Sequence, residues 1–467
     1  MNSKYSKLAL VILIPVIIYI LPVPQGLTQS TWKLFAVYIA AILGIMLRPF
    51  PEAVMAVGVM GISSFFIDMN VFLNGYANSV VWLVFSAFMI SQAFIDTGLG
   101  RRIALIMIRT FGHSALGLAY SATITDLIIS PATPSNTART GGIVFPIYRS
   151  IAVTLGSEPG PTSRRIGAYL TIMLYQISLS TTVMFITAGG PNILSVKLAK
   201  DIMKVDISWM TWALAALVPG LIVIIVIPYL IYKIYPPELK IITNAKELAQ
   251  QGLDDMGPMS MREKILVVLF VLAILGWATS GITKFNATGI AIAVLAISLL
   301  TGIVTWDNIL QSKGAWSTLM WFGLLVGLAE SLAGAKFFDW MAFSVSRHLN
   351  LVGYDAYIVL TVLLIISLVV RYVFASMTAF ITAFVPVLFT LGLVAQAPAM
   401  PLALLMAYSA AFGSLLTHYG GAVGPVLFGA GYLAQTTWWK IGTVVVLLHV
   451  IVFILIGLPY WKLIGLW

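Results

Sequence analysis

A polar, helix-breaking run, Ser130-Pro131-Ala132-Thr133-Pro134-Ser135-Asn136-Thr137-Ala138-Arg139-Thr140-Gly141-Gly142, interrupts an otherwise apolar stretch of chain, and a shorter run, Ser376-Met377-Thr378-Ala379, does the same in the second half. Hydrocarbon offers no partner to a free N–H or C=O. Unwound backbone at membrane depth therefore persists only where it is buried in protein or lines a wet cavity. The membrane setting follows from composition, with 60% hydrophobic and 9% charged residues and a mean hydropathy of +1.01, values that no soluble core of this size reaches. Apolar runs recur end to end, each near the ~20 residues that cross ~30 Å of hydrocarbon. They predict an all-α polytopic membrane protein with about eleven spans plus two re-entrant hairpins.

The run Leu8 to Leu21 follows Lys4 and Lys7 without a small-x-small cleavage site, and reads as a retained first span. Cysteine is absent, which excludes disulfides, thiolate metal sites and cysteine catalysis. The formal charge of +10 has a topological origin. With the N-terminus inside, Lys4, Lys7, Arg48, Arg101, Arg102, Arg109, Arg164, Arg165, Lys233 and Lys240 all fall in cytoplasmic loops, which orients the chain N-in and C-out in the plasma (cell inner) membrane. The only long polar segment, 236–262, mixes acidic with basic residues, so a nucleic-acid partner is excluded. Trp438, Trp439, Tyr460 and Trp461 are expected to anchor spans at the interface.

That polar segment divides two halves that resemble each other. Gly98 and Gly334 lie 236 residues apart, Ser135 and Ser376 241, Pro146 and Pro386 240, and Gly190 and Gly424 234. Each half runs through a long span, an amphipathic stretch (99–111, 335–348), a hairpin-like segment with a Ser-x-Thr tip, and a span broken by Gly-Gly or Gly-Pro. An odd number of crossings per copy would invert the second, as in transporters whose site sits between two such copies.

Pro131 and Pro134 stop the helix that approaches the first tip. Ser135, Asn136 and Thr137 then stand where short polar side chains cap the next helix, beside its free N–H groups and positive dipole end, a cradle for a carboxylate. Ser376 and Thr378 supply the same hydroxyls at the second tip, with Met377 between them. The breaks, Thr187-Ala188-Gly189-Gly190-Pro191-Asn192 and Thr417-His418-Tyr419-Gly420-Gly421-Ala422-Val423-Gly424-Pro425, add Thr187, Thr417 and backbone that glycine leaves open to a ligand. Two facing tips suit a substrate with two carboxylates. Ser135, Asn136, Thr137, Thr187, Gly190, Pro191, Ser376, Met377, Thr378, Thr417, Gly424 and Pro425 are the candidate substrate residues. Arg139, Arg371 and His418 are candidates for charge compensation. The alternative for both arginines is a structural one, each holding its hairpin through a carboxylate or backbone carbonyls, with Asp126 the natural partner of Arg139. His113, His348 and His449 lack metal-ligand spacing.

On Pro134-Ser135-Asn136-Thr137-Ala138-Arg139-Thr140-Gly141-Gly142, Gly98-Leu99-Gly100-Arg101-Arg102-Ile103-Ala104-Leu105 and Phe374-Ala375-Ser376, the chain resembles the divalent anion/sodium symporter family. The likeness spans nearly the whole chain and is nearest to the dicarboxylate and tricarboxylate exchanger branch, the 2-oxoglutarate/malate and citrate/succinate translocators. It implies a homodimer. It also implies a scaffold of residues 1–98 and 263–334, a transport domain of 99–235 and 335–467, a cytoplasmic linker of 236–262, and elevator-like sliding of the transport domain. The sequence departs from the sodium-coupled members at Met377, where they resemble Ser-Asn-Thr; a thioether is a poor ligand for a hard cation. No cofactor is implied. A sodium ion near Ser135, Asn136 and Gly189 stays open, and with it sodium symport as the alternative to exchange. An intramembrane enzyme finds no HExxH, GxSxG or paired-carboxylate machinery here. A channel has no need of two mirrored hairpins.

Overall fold

The computed structural model describes residues 3–348 and 353–467; the side chain of His348 lies outside the described residues. Among these the regular elements are helices, joined by one isolated bridge between Ser114 and Ile241. Among the described residues, nine helices are long and apolar enough to cross a membrane. Shorter apolar helices, Glu52–Ser63, Ala287–Leu300 and Ala356–Arg371, accompany them. The run read as a first span forms the helix Ser3–Ile20.

Local sequence sets the helix starts. Thr28, Asn78, Ser114, Ser208, Asn286 and Asp355 each accept a backbone N–H at the N-cap, satisfying donors the first turn cannot pair internally. Ser260 and Glu263 form a reciprocal capping box at the start of Met261–Thr283. Glu263 also takes a buried bidentate ion pair from Arg102, at 2.6 and 3.3 Å, which fastens the amphipathic helix Leu99–Phe111 to the start of that span.

Close helix approach relies on small residues, as membranes without a hydrophobic drive between helices require. Helix Met69–Ala77 lies so tightly on Lys313–Gly334 that a Cβ at Gly75 would stand 1.9 Å from the Gly323 carbonyl oxygen. Helix Gly167–Met184 is buried along its whole length, flanked by Ala115–Ile129, Trp209–Ile234 and Ala399–Phe412. It forms the post around which the polar breaks are arranged.

One expectation is corrected. Trp438 and Trp461 are fully buried rather than placed at an interface, and the Trp461 indole donates to the Ala215 carbonyl at 2.8 Å. For Trp461 the neighbouring helix thus supplies the acceptor that a buried indole prefers, while the Trp438 indole N–H has none among the described residues.

Candidate functional site

The first hairpin leaves its helix at Ile129, passes through a 3-10 turn at Ser130–Ala132, and bends over residues 133–136 before a π-helical turn, Thr137–Val144, and the helix Phe145–Thr154. The second runs Ala356–Arg371, a bend at 372–376, then Met377–Ala383 and Val385–Val394. The broken spans are Gly167–Met184 with Gly190–Met203, and Ala399–Phe412 with Gly424–Gly429.

These four pieces form one connected unit. The Gly190 N–H donates to the Pro134 carbonyl at 3.1 Å, joining the first tip to the first break. The Asn136 carboxamide oxygen accepts the Thr182 hydroxyl at 3.0 Å. From the same helix Tyr175 donates to the carbonyls of both Ser414 and Thr417, at 2.8 and 2.7 Å, tying the first broken span to the second. Gly141 faces Val423, where an added Cβ would come within 3.4 Å. Arg371 closes the chain of contacts by holding the second tip to the second break.

Each sequence-selected residue now has a place. Ser135 and Ser376 are caps, accepting the N–H of Ala138 and Ala379, each at 3.3 Å. Thr137 is exposed, Met377 half-buried, and Asn136 and Thr378 are each only 9% exposed. Thr417 is buried beside the second break. Pro191 and Pro425 sit in the first turn of the helices that resume after the breaks. Gly424 is required there, since a Cβ would lie 2.2 Å from the His418 carbonyl oxygen. Gly189 is packed against Thr182 and Asn192, and Asn192 clasps the break through the carbonyls of Thr182 and Phe185 at 2.8 and 3.1 Å.

Thr187 is fully buried and accepts the Trp209 indole N–H at 3.1 Å, so it braces the first break from behind. His418 stacks on Phe428 at 4.3 Å. Its Nδ1 accepts the Trp439 indole N–H at 3.2 Å. A ring nitrogen that accepts an N–H carries no proton, so His418 adds no positive charge while that contact stands.

The two arginines occupy matching cages. Arg139 donates to the carbonyls of Thr133, Ser178 and Ala188, at 3.1, 2.8 and 3.2 Å, and to the Thr182 hydroxyl at 3.2 Å. Arg371 donates to the carbonyls of Phe374, Ala410 and Gly420 and to the Ser414 hydroxyl. Phe374 is 241 residues after Thr133, and Ala410, Ser414 and Gly420 are each 232 after Ser178, Thr182 and Ala188. The guanidinium reaches the second cage from the opposite arm of its hairpin. It lies 5.6 Å from the ring of Phe380, the residue 241 after Arg139.

Charge separates the cages. Arg139 is paired with the buried Asp126 at 3.1 Å, and Asp126 also accepts the hydroxyls of Thr140 and Thr181. Arg371 is 1% exposed, and every acceptor it uses is neutral; among the described residues it belongs to no ion pair. Sequence reading passed over Tyr175, Thr182 and Ser414. A signal was there, the run Ser178, Ser180, Thr181 and Thr182 in a span that has no water to face.

Residues 2–467 match the family described as the sodium:sulfate symporter transmembrane region. The chain belongs to that family. It is 44% identical to the inner membrane protein YbhI of Escherichia coli (100% of this chain, 99% of that one). It is 40% identical to the putative malate transporter YflS of Bacillus subtilis (99% and 97%), and 33% identical to the L-tartrate/succinate antiporter of Escherichia coli (95% of each). Among solved structures, MtrF of Neisseria gonorrhoeae superposes with a TM-score of 0.60 at 10% identity, covering 98% of this chain and 97% of that one, which places both in one fold. As a member of the sodium:sulfate symporter family the chain is a multi-pass membrane transporter, not an enzyme.

Proposed function

We propose that this protein exchanges small dicarboxylates, of the malate, succinate and 2-oxoglutarate class, across the bacterial inner membrane, with tricarboxylates such as citrate at the edge of its range. The observation that carries this reading is a positive charge, Arg371, buried at the second tip without a protein counter-ion. Relatives named as a malate transporter and a tartrate/succinate antiporter support the substrate class.

Energetics favour exchange over uniport. Importing a dianion against ~100 mV, inside negative, costs about 4.6 kcal/mol, whereas swapping one dianion for another moves no net charge. A symporter overcomes that cost with travelling cations; an exchanger has no such cost, and a fixed guanidinium stabilises its bound dianion where a symporter would use a cation. The same buried charge resists crossing when the carrier is empty, since an unpaired arginine at membrane depth costs ~2.5 kcal/mol or more. Exchange thereby becomes obligatory. In this reading residues 99–235 and 335–467 slide as one body against a scaffold of 1–98 and 263–334, in a homodimer with the N-terminus cytoplasmic and the C-terminus outside.

Sodium symport is the second reading, and Asn136 at the first tip is what favours it. Its carboxamide oxygen, though, already accepts from Thr182, and Met377 offers a thioether where a hard cation needs oxygen. Counterflow in vesicles with a panel of dicarboxylates, with and without sodium, tests the proposal. Uptake should require internal dicarboxylate and ignore sodium. Equal uptake into vesicles without internal substrate, or strict dependence on sodium, rejects it.

A further inference from the structure

The two cages share four acceptor positions yet differ at two others that decide their net charge. Asp126 neutralises the first, and Thr181 donates its hydroxyl to that carboxylate. The residue 241 after Asp126 is Ser367, and the residue 232 after Thr181 is Gly413. Ser367 is fully buried, and its hydroxyl is shared with that of Ser409 at 2.6 Å. Ser409 immediately precedes Ala410, whose carbonyl Arg371 uses. A Cβ on Gly413 would meet the Arg371 side chain at 3.0 Å, so a side chain there would crowd the arginine stem, and glycine brings no hydroxyl to the cage. Ser367 stands four residues before Arg371 on one helix, the spacing at which an acid and a base meet.

We propose that residue 367 sets the charge of the substrate this carrier prefers: because Ser367 stands where a carboxylate would neutralise Arg371, the second cage stays cationic and attracts a doubly charged ligand more strongly than a singly charged one. This deepens the exchanger reading and rests on it. The serine is a specificity-determining residue that acts through Arg371 and touches no substrate. Its effect is electrostatic, and a charge placed at 367 acts on both carboxylates of a dianion but on only one of a monoanion. The empty protein, meanwhile, holds a buried cation whose solvation by neutral carbonyls and one hydroxyl is incomplete. Stability without ligand and preference for dianions should therefore move in opposite directions.

Ser367→Asp and Ser367→Asn, nearly equal in volume and different in charge, isolate this effect in the purified full-length chain. Against the Asn variant, the Asp variant should bind succinate about tenfold more weakly and its monomethyl ester only about threefold more weakly. Without ligand it should melt at a higher temperature. Ser409→Asp brings a carboxylate to the same place from the facing helix and should repeat both results, should Ser367→Asp fail to fold. Equal ligand selectivity in the Asp and Asn variants, or an Asp variant that melts below its Asn partner, overturns the proposal. A native protein that binds neither ligand rejects the exchanger reading alone, because the melting comparison still reports whether the cage lacks a negative charge.

Discussion

The first hairpin tip is welded to its surroundings and the second is tethered. At the first, Thr133, Pro134 and Asn136 are buried, and the bend is held by Gly190, Thr182 and the full acceptor set of Arg139. At the second, Tyr372 and Val373 are 45% and 74% exposed. That bend is held by Arg371 and by the Tyr419 hydroxyl donating to the Tyr372 carbonyl at 3.1 Å. Two hairpins with one cage design can thus differ in purpose: a neutral, saturated cage fixes geometry, while a cationic one keeps electrostatic attraction in reserve.

The contrast can be broken most forcefully at Asp126. Asp126→Ala leaves Arg139 buried without its anion, and should cost about 3–5 kcal/mol, read as loss of monodisperse protein in detergent or a steep fall in melting temperature. Arg371→Gln should behave differently. It removes hydrogen bonds but strands no charge, so the loss of stability should stay near 1–3 kcal/mol while dicarboxylate binding disappears. A stability loss equal to that of Asp126→Ala would erase the distinction between the cages.

Smaller changes sharpen it. Asn136→Ala removes the bond from Thr182 and should lower stability by about 1 kcal/mol, with a matching loss of substrate affinity by isothermal titration; Thr378→Ala, at the looser tip, should weaken affinity with less effect on melting. Least consequential is Glu330→Gln. It breaks a bridge of 3.5 Å from Lys197 to a half-exposed carboxylate, and a pair this open is worth about 0–1 kcal/mol. Exchange rates should shift by less than about fivefold.

The bends were legible because proline and glycine have few uses in the middle of an apolar run: Pro131, Pro134, Gly190 and Gly424 each mark a place where the helix stops or resumes. The partnership of Asp126 with Arg139 was legible too, since a carboxylate and a guanidinium in apolar surroundings have strong reason to meet. Thr187 shows the limit. Its hydroxyl beside a glycine pair reads as a ligand contact until the Trp209 indole is seen behind it. Trp438 and Trp461 mislead in the same way, because an amphipathic ring suits an interface and a packed core alike, with the Trp461 indole hydrogen-bonded there and the Trp438 N–H left without an acceptor among the described residues.

Sequence alone determined that this chain lives in a membrane, that its polar bends come in two sets at a near-constant offset, and that hydroxyls and arginines gather there. These follow from transfer free energies and backbone valence, which are local. Only the tertiary structure decided which bend is saturated and which arginine keeps its charge. At least half the acceptors in each cage are backbone carbonyls, which every residue carries, so what a guanidinium meets depends on how distant segments are folded together and not on the letters that spell them.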